Sequence, residues 1–402
     1  MISRDLYIDR LVKFIDKPFI KVITGVRRSG KSSLLILLKE LFISRGVRPD
    51  HIIYINFESF VFSELDNGEK FYQYLSSQIN PKERYYLLLD EIQEVDSWEK
   101  AVNSFMVDFD CDIYITGSNS RLLSSDLATY ITGRYVEINV YPLSFKESIQ
   151  FRKQLKSESA GDTYTLFEQF IRMGGFPVLH TADYDLESAW KVVYDIYSSA
   201  ILRDTVQRNS IRDVELLERV VKYVFDNVGN RFSSKNVADY FKSQQRKIDL
   251  NTVYNYLNAL ESAFIIYRIP RYDVKGKEIL KTQEKYFVGD QAFLHAVSGF
   301  RQRNIPGILE NIVMLELLRR GYKVYTGKSG DLEIDFIAEN NETKIYIQVA
   351  YLLTEQSTID REFTPLLEIK DHYPKLVLTT DRLLTNNIEG VRHLHIADWL
   401  ME

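Results

Sequence analysis

The stretch Gly25-Val26-Arg27-Arg28-Ser29-Gly30-Lys31-Ser32-Ser33 has the spacing G-x-x-x-x-G-K-S. Glycines so placed let backbone N–H groups wrap a polyphosphate, Lys31 can reach the β- and γ-phosphates, and the Ser32 hydroxyl can ligate Mg2+. A second constellation ends the apolar run Leu87-Leu88-Leu89 with two acids, Asp90 and Glu91. Asp90 there suits holding Mg2+, usually through water, and Glu91 suits orienting and activating an attacking water. Paired acids alone could equally cap a strand facing solvent. Together with the upstream loop they read as two halves of a site for ATP and Mg2+.

The elements that must position these groups follow from periodicity. "FIKVIT" before Gly25 is a short apolar run, and Lys31 to Arg45 has helical character, with Leu34, Leu35, Leu38 and Leu41 on one face and Gly46 as a stop. The loop therefore joins a buried strand to a helix N-terminus, whose first N–H groups lack internal partners and favour anions. Further strand-like runs are "HIIYIN", "YYLLLDE", "DIYITGS" and "YVEINV", mostly separated by helical stretches. That alternation predicts a parallel sheet with helices on both faces. Thr116-Gly117-Ser118-Asn119 then falls at the carboxyl end of a neighbouring strand, where ligands lie in open α/β sheets, so Ser118 or Asn119 can sense the γ-phosphate. Arg121 and Arg134 are candidates for stabilising transition-state charge, from the same chain or a neighbouring one, or are plain surface arginines.

"GVRRSGKS", "YYLLLDEIQ", "ITGSNS" and "TGRYVEINVYPLSF" together resemble the bacterial and archaeal AAA-type ATPases close to the STAND signalling ATPases, which carry a C-terminal domain of unknown function. The resemblance runs along nearly the whole chain and is strongest over residues 15 to 150. It implies a fold of P-loop NTPase type over 1–145, a helical lid over 146–211, a winged helix over 212–290 and a C-terminal domain over 291–402. In related signalling ATPases a G-x-P motif in the lid contacts the adenine, and Gly175-Phe176-Pro177 has its form, which makes Pro177 a nucleotide contact by resemblance. Read from residue types alone, the same tripeptide is a helix stop and a proline turn.

Residues 212 to 285 hold 14 basic and 10 acidic side chains, a locally positive stretch inside a chain of net charge −5. "SSKNVADYFK", a helix starting at Asp249 and the strand and turn of "IIYRIPRYDVKG" give the order helix, turn, helix, β-wing. Asn251, Thr252, Asn255 and Asn258 could meet bases, and Arg268, Arg271, Lys275 and Lys277 phosphates. Alternatively the module packs internally or against protein, with Tyr254 and Tyr256 against a neighbouring domain.

From residue 306 the order helix, strand, acid, strand resembles the restriction-endonuclease-like fold, whose helix glutamate, strand aspartate and E-x-K pair bind Mg2+ and activate water. Glu310 and Asp335 match the first two places, but Gln348 and Ala350 stand where the glutamate and lysine belong. Glutamine lacks the charge a metal wants and alanine cannot position a water, which predicts a scaffold kept for binding or assembly. His393 and His395 alternate around Leu394 as strand side chains rather than metal ligands.

At 402 residues, 45% hydrophobic and 27% charged, the chain is globular and long enough for two or three domains. One cysteine, Cys111, excludes an internal disulfide framework. No apolar run approaches membrane-spanning length and no signal-peptide pattern is present, so a cytoplasmic protein without a membrane partner is expected. The expected function is an Mg-ATP-binding, ATP-hydrolysing switch whose lid and winged helix respond to nucleotide state, with a homo-oligomer or a protein as partner. Rival readings are an ATP-gated DNA-binding regulator, a nuclease with a relocated lysine, and a scaffold that binds nucleotide without hydrolysing it.

Overall fold

The computed structural model describes residues 2–120, 133–156, 161–243, 249–353, 355–382 and 387–402. The chain divides into two compact units, Met1–Val140 and Tyr141–Glu402.

In the first unit, β1 (Ile20–Thr24), β2 (Ile52–Asn56), β3 (Tyr85–Asp90), β4 (Cys111–Gly117) and β5 (Tyr135–Asn139) make one sheet in the order β2-β3-β4-β1-β5. Every pairing is parallel. Alternation along each strand serves two cores, as a period of two requires. Val22, Leu87, Leu89, Ile113 and Ile115 face Phe71, Leu75, Trp98 and Phe105 of the helices Gly68–Ser76 and Trp98–Asp108. Ile23, Leu88, Tyr114 and Ile138 face Tyr7 and Leu34, Leu35, Leu38 and Phe42 of the helices Asp5–Val12 and Lys31–Ser44. One polar intrusion interrupts this: Lys21, fully buried in β1, is paired with Asp112 of β4, which also accepts from Tyr114 Oη and the Asp16 N–H. Burial lowers the Lys21 pKa, and the charge and hydrogen bond of Asp112 oppose that shift.

The second unit opens with helices Phe145–Lys156, Thr163–Met173, Pro177–His180 and Leu186–Ser199, the last running into a π-helical stretch, Ala200–Gln207. Helices Val214–Asp226, Ser234–Ser243 and Leu250–Ser262 follow, then an antiparallel pair, β6 (Ile266–Asp273) and β7 (Glu278–Val288). After the helices Gln291–Ser298 and Ile305–Arg319 come β8 (Lys323–Ser329), β9 (Leu332–Glu339), β10 (Lys344–Val349), the helix Gln356–Leu367, β11 (Lys375–Thr379), β12 (Asn387–Ile388), β13 (Val391–His395) and the helix Ile396–Met401. These strands form a single sheet in the order β12-β13-β11-β10-β9-β8-β6-β7.

The wing strands therefore belong to the C-terminal sheet. β6 pairs parallel with β8 through Arg271↔Thr326, Tyr272↔Gly327 and Asp273↔Lys328. Sheet hydrogen bonds thus cross the seam expected near residue 290. Gly307 makes a second junction, since a Cβ there would lie 2.6 Å from the Val228 carbonyl oxygen, so the helix Ile305–Arg319 can approach the turn at 228–231 only with glycine at that place. His393 is buried and bonded to Thr379 Oγ1 at 2.7 Å, while His395 Nδ1 caps the last helix by accepting from the Ala397 N–H. Among the described residues no helix is long and apolar enough to cross a membrane.

A fragment ending at residue 290 strips β6 of its β8 neighbour. Residues 141–290 are expected to lack the cooperative thermal transition that 141–402 shows by circular dichroism, and an equally sharp transition in the shorter fragment would contradict the shared sheet.

Candidate functional site

The site forms where β1, β3 and β4 end. Register sets it: Thr24 lies beside Gly117 and Leu89 beside Ile115, so Asp90 comes level with Thr116 and next to the loop that leaves β1. Gly25 starts that loop at φ +142, with the Val140 oxygen 2.2 Å from where a Cβ would be. Gly30 stands at φ +102 and Arg28 at φ +67, so the loop is wound through left-handed conformations that side chains resist.

The helix Lys31–Ser44 begins without a capping side chain and without an acid in its first turn. Helices starting at 68, 163, 186, 214, 250 and 291 are each capped by an Asn or Asp. Its N-terminal amides, like those of the helices Ile305–Arg319 and Gln356–Leu367, carry neither a side-chain cap nor a first-turn acid, and here they adjoin the Gly25–Gly30 loop, which suits a phosphate. Lys31 Nζ donates to the carbonyl oxygens of Gly25 (3.0 Å) and Val26 (3.2 Å) and lies 3.9 Å from Glu91 Oε1. Ser29 is fully buried, and its Oγ has no partner among the described residues. Arg27 pairs with Glu58 at 3.0 Å, which turns its guanidinium away from a purely phosphate role. Val26 and Ser33 complete the loop and the first helical turn.

Asp90 is the most fully anchored group here. It accepts from Thr116 Oγ1 (2.6 Å), Tyr54 Oη (3.1 Å) and Asn56 Nδ2 (3.3 Å), with the Ser32 hydroxyl nearby. Burial raises its pKa, and Thr116, Ser32 and Tyr54 pull it back. Ser32 and Asp90 are the two residues expected to share Mg2+. Glu91 sits at φ +54, its N–H donated to Thr116 Oγ1 (2.9 Å) and its carboxylate held by Gln93 Nε2. One hydroxyl thus fixes both acids. Ser118 and Asn119 follow β4 and are fully buried at the same edge.

Arg134 precedes β5, at the end of the sheet away from the loop. It is exposed, and its carbonyl accepts from the Ile20 N–H at the opening of β1. Four strand steps of about 3.3 Å put that end of the sheet roughly 13 Å from the loop, so within this chain Arg134 does not serve the phosphates. Arg121 lies outside the described residues. Pro177 belongs to the second unit, where it opens a short helix after a turn that is tightly fixed. There Gly175 donates its N–H to Asp290 Oδ2 (2.8 Å) and accepts from the Leu143 N–H (2.7 Å). Burial pushes the Asp290 carboxyl up to about 7, against two backbone N–H bonds and the Arg319 charge.

Four residues escaped sequence reading: Arg4, whose Nη1 donates to the Ser29 carbonyl at 2.8 Å, and Tyr54, Asn56 and Gln93, which hold the two acids. Asn56, a polar residue ending an apolar run, was the one legible signal.

A second polar cluster lies in the second unit. Lys285 of β7, Glu310, Glu333, Asp335, Gln348, Glu362, Arg231 and Arg361 line a cavity of about 770 Å3. Gln348 and Ala350 are both buried there. On the module read as a winged helix, Asn251, Asn255 and Asn258 are exposed and Tyr256 is buried. Arg268 is exposed and paired with Glu261, Arg271 is buried against Gln283, and Lys275 and Lys277 are exposed.

Comparison with known proteins supplies the family. Residues 17–149 match the family model of an AAA domain, and residues 164–304 that of a domain of unknown function, DUF8612. An uncharacterised protein of Haemophilus influenzae is 39% identical over 403 residues, covering 100% of this chain and 99% of the other. The chain belongs to its family. Uncharacterised protein MJ1544 of Methanocaldococcus jannaschii is 32% identical, over 99% of this chain and 88% of that one. Among solved structures, AMPPCP-bound DnaA from Aquifex aeolicus gives a TM-score of 0.30 at 14% identity, over 65% of this chain and 89% of that chain. C. elegans PCH-2 gives 0.26 at 14% identity, over 63% and 66%. Likeness of that size is too slight to reason from.

Two outcomes are expected. Thr116→Val strands the buried Glu91 N–H and deprives Asp90 of a donor, so denaturant unfolding should register a loss of about 1–3 kcal/mol, with Thr116→Ser nearly neutral. Asp290 holds its proton in the folded chain up to about 7, whereas the unfolded carboxyl releases it near its ordinary value. Its contribution to stability is therefore lost as pH rises through about 7, and the urea midpoint should fall from pH 6 to 8, less so in Asp290→Asn.

Proposed function

We propose that the chain is an Mg-dependent ATPase that works as a switch. The observation that carries this reading is the Asp90–Thr116–Glu91 chain of hydrogen bonds, with Ser32 close to Asp90, beside an uncapped helix N-terminus. The residues fit ATP and Mg2+: the buried Ser29 Oγ is left without a partner, and the loop is shaped by Gly25 and Gly30. Bound Mg2+ would neutralise phosphate charge, with Ser32 and Asp90 holding it. Lys31 would leave the Gly25 and Val26 carbonyls for the phosphates. Glu91, with its backbone fixed by Thr116 and its carboxylate by Gln93, would orient the water and accept its proton. Ser118 and Asn119 stand where the end of the phosphate chain would be sensed.

A switch needs a route out of the site. Tyr141 follows one residue after β5, and the segment it opens is held by Leu143 N–H to Gly175 O, by Gly175 N–H to Asp290 and by Arg319 Nη2 to Pro142 O. Those bonds tie the strand's continuation to the turn carrying Pro177 and to the helix Ile305–Arg319. Hydrolysis then acts as a timer for the second unit. A second reading, ATP-gated DNA binding, draws on the exposed Asn251, Asn255 and Asn258 with Lys275 and Lys277. Burial of Arg271 against Gln283 weakens it.

Steady-state ATP turnover with Mg2+ tests the proposal. Lys31→Ala should weaken nucleotide binding roughly tenfold or more. Glu91→Gln should leave binding intact and lower turnover by about 100-fold or more. Equal turnover in wild type and Glu91→Gln would reduce the chain to a nucleotide-binding scaffold.

A further inference from the structure

The restriction-endonuclease-like resemblance of the C-terminal segment implies a divalent metal held by Glu310, Asp335 and a third acid. The residues present do not fit one. Lys285, only 3% exposed, reaches in from β7 and places Nζ 3.1 Å from Glu310 Oε2, 3.1 Å from Glu333 Oε1 and 3.4 Å from Asp335 Oδ1. An ammonium within reach of three carboxylates already takes the oxygens a metal would need. Two of the other acceptors are also engaged: Asp335 Oδ2 receives the Val349 N–H at 2.9 Å, and Arg231 holds Glu333 Oε2 at 2.6 Å. Where a third acid would stand, Gln348 instead accepts the Asp335 N–H with Oε1 (2.6 Å) and turns its Nε2 toward Glu362.

We propose that the ammonium of Lys285 is the permanent cation of this cavity, standing where a divalent metal would bind, so that the C-terminal site is a metal-free clamp between β7, the helix Ile305–Arg319 and β9. Burial pushes the Glu310 carboxyl up to about 8 against the lowering charge of Lys285, so the geometry of the three contacts carries the argument. Burial alone would lower the pKa of Lys285, but Glu310, Asp335 and Glu333 outweigh it and raise it, so the lysine stays charged. A metal entering the cavity would have to expel that ammonium from its three partners and share their charge. Lysine at this place also explains how a glutamine and an alanine are tolerated at 348 and 350: the cluster is balanced from β7 rather than from β10. The glycine at 229, φ +79, lets the backbone of the 228–231 turn lie close above Glu310, where a Cβ would come within 3.1 Å of Oε2 and crowd the same carboxylate.

The test is Mn2+ bound per full-length chain, by equilibrium dialysis without nucleotide, in wild type, Asp335→Asn, Glu310→Gln, Lys285→Met and Lys285→Met with Asp335→Asn. Mn2+ at the Ser32–Asp90 site contributes equally to all five. Wild type, Asp335→Asn and Glu310→Gln should bind the same number of ions, Lys285→Met should gain one, and adding Asp335→Asn should remove it. A wild-type chain that loses one Mn2+ on Asp335→Asn or Glu310→Gln would overturn the proposal. So would a folded Lys285→Met that gains none. Should Lys285→Met fail to fold, the comparison of wild type with the two acid variants decides alone.

Discussion

Strand β4 pairs with β1 on one side and β3 on the other, and the arrangement of polar groups in the first unit depends on that placement. Because the pairing is parallel, the carboxyl ends of all three strands reach one edge. The loop from β1, the acids from β3 and the Thr116 to Asn119 segment from β4 are delivered together without a long connection. Thr116 converts this proximity into fixed geometry, since a single hydroxyl donates to Asp90 and accepts from the Glu91 N–H. A valine there would preserve the strand and lose the site.

Charge is handled differently in the two units. In the first, unpartnered polarity collects at the phosphate loop: an uncapped helix, an orphaned Ser29 hydroxyl and a lysine resting on backbone carbonyls. Such a site is unfinished in a way an anion would complete. In the second unit the large polar cavity is closed on itself, with Lys285 and Arg231 answering the acids around them. The contrast is what the proposed ATPase reading draws on for the first unit and the proposed metal-free clamp for the second.

Local sequence carried much of this. The Gly25 to Ser33 loop and the Asp90–Glu91 pair were legible because each is a contiguous motif on a readable strand, and the five strands of the first sheet followed from apolar runs. Tyr54, Asn56 and Thr116 were not assigned roles because their meaning depends on strand order, which no local pattern gives. For Arg134 the sequence did contain a reason to set aside the same-chain role and keep the neighbouring-chain one: it precedes β5, and in a parallel sheet the residue before a strand lies at the far edge from the loop after its neighbour. Lys285 was invisible because it reaches acids 25 to 50 positions away in the chain, through the wing strand's membership of the C-terminal sheet.

The most direct measurement is a crystal structure of the chain with Mg2+ and a non-hydrolysable ATP analogue. The account predicts the triphosphate wrapped by residues 25–33, with the metal on Ser32 Oγ, Asp90 in its outer shell and Lys31 moved off the Gly25 and Val26 carbonyls. A triphosphate bound elsewhere, or Lys31 still resting on those carbonyls with nucleotide in place, would contradict it.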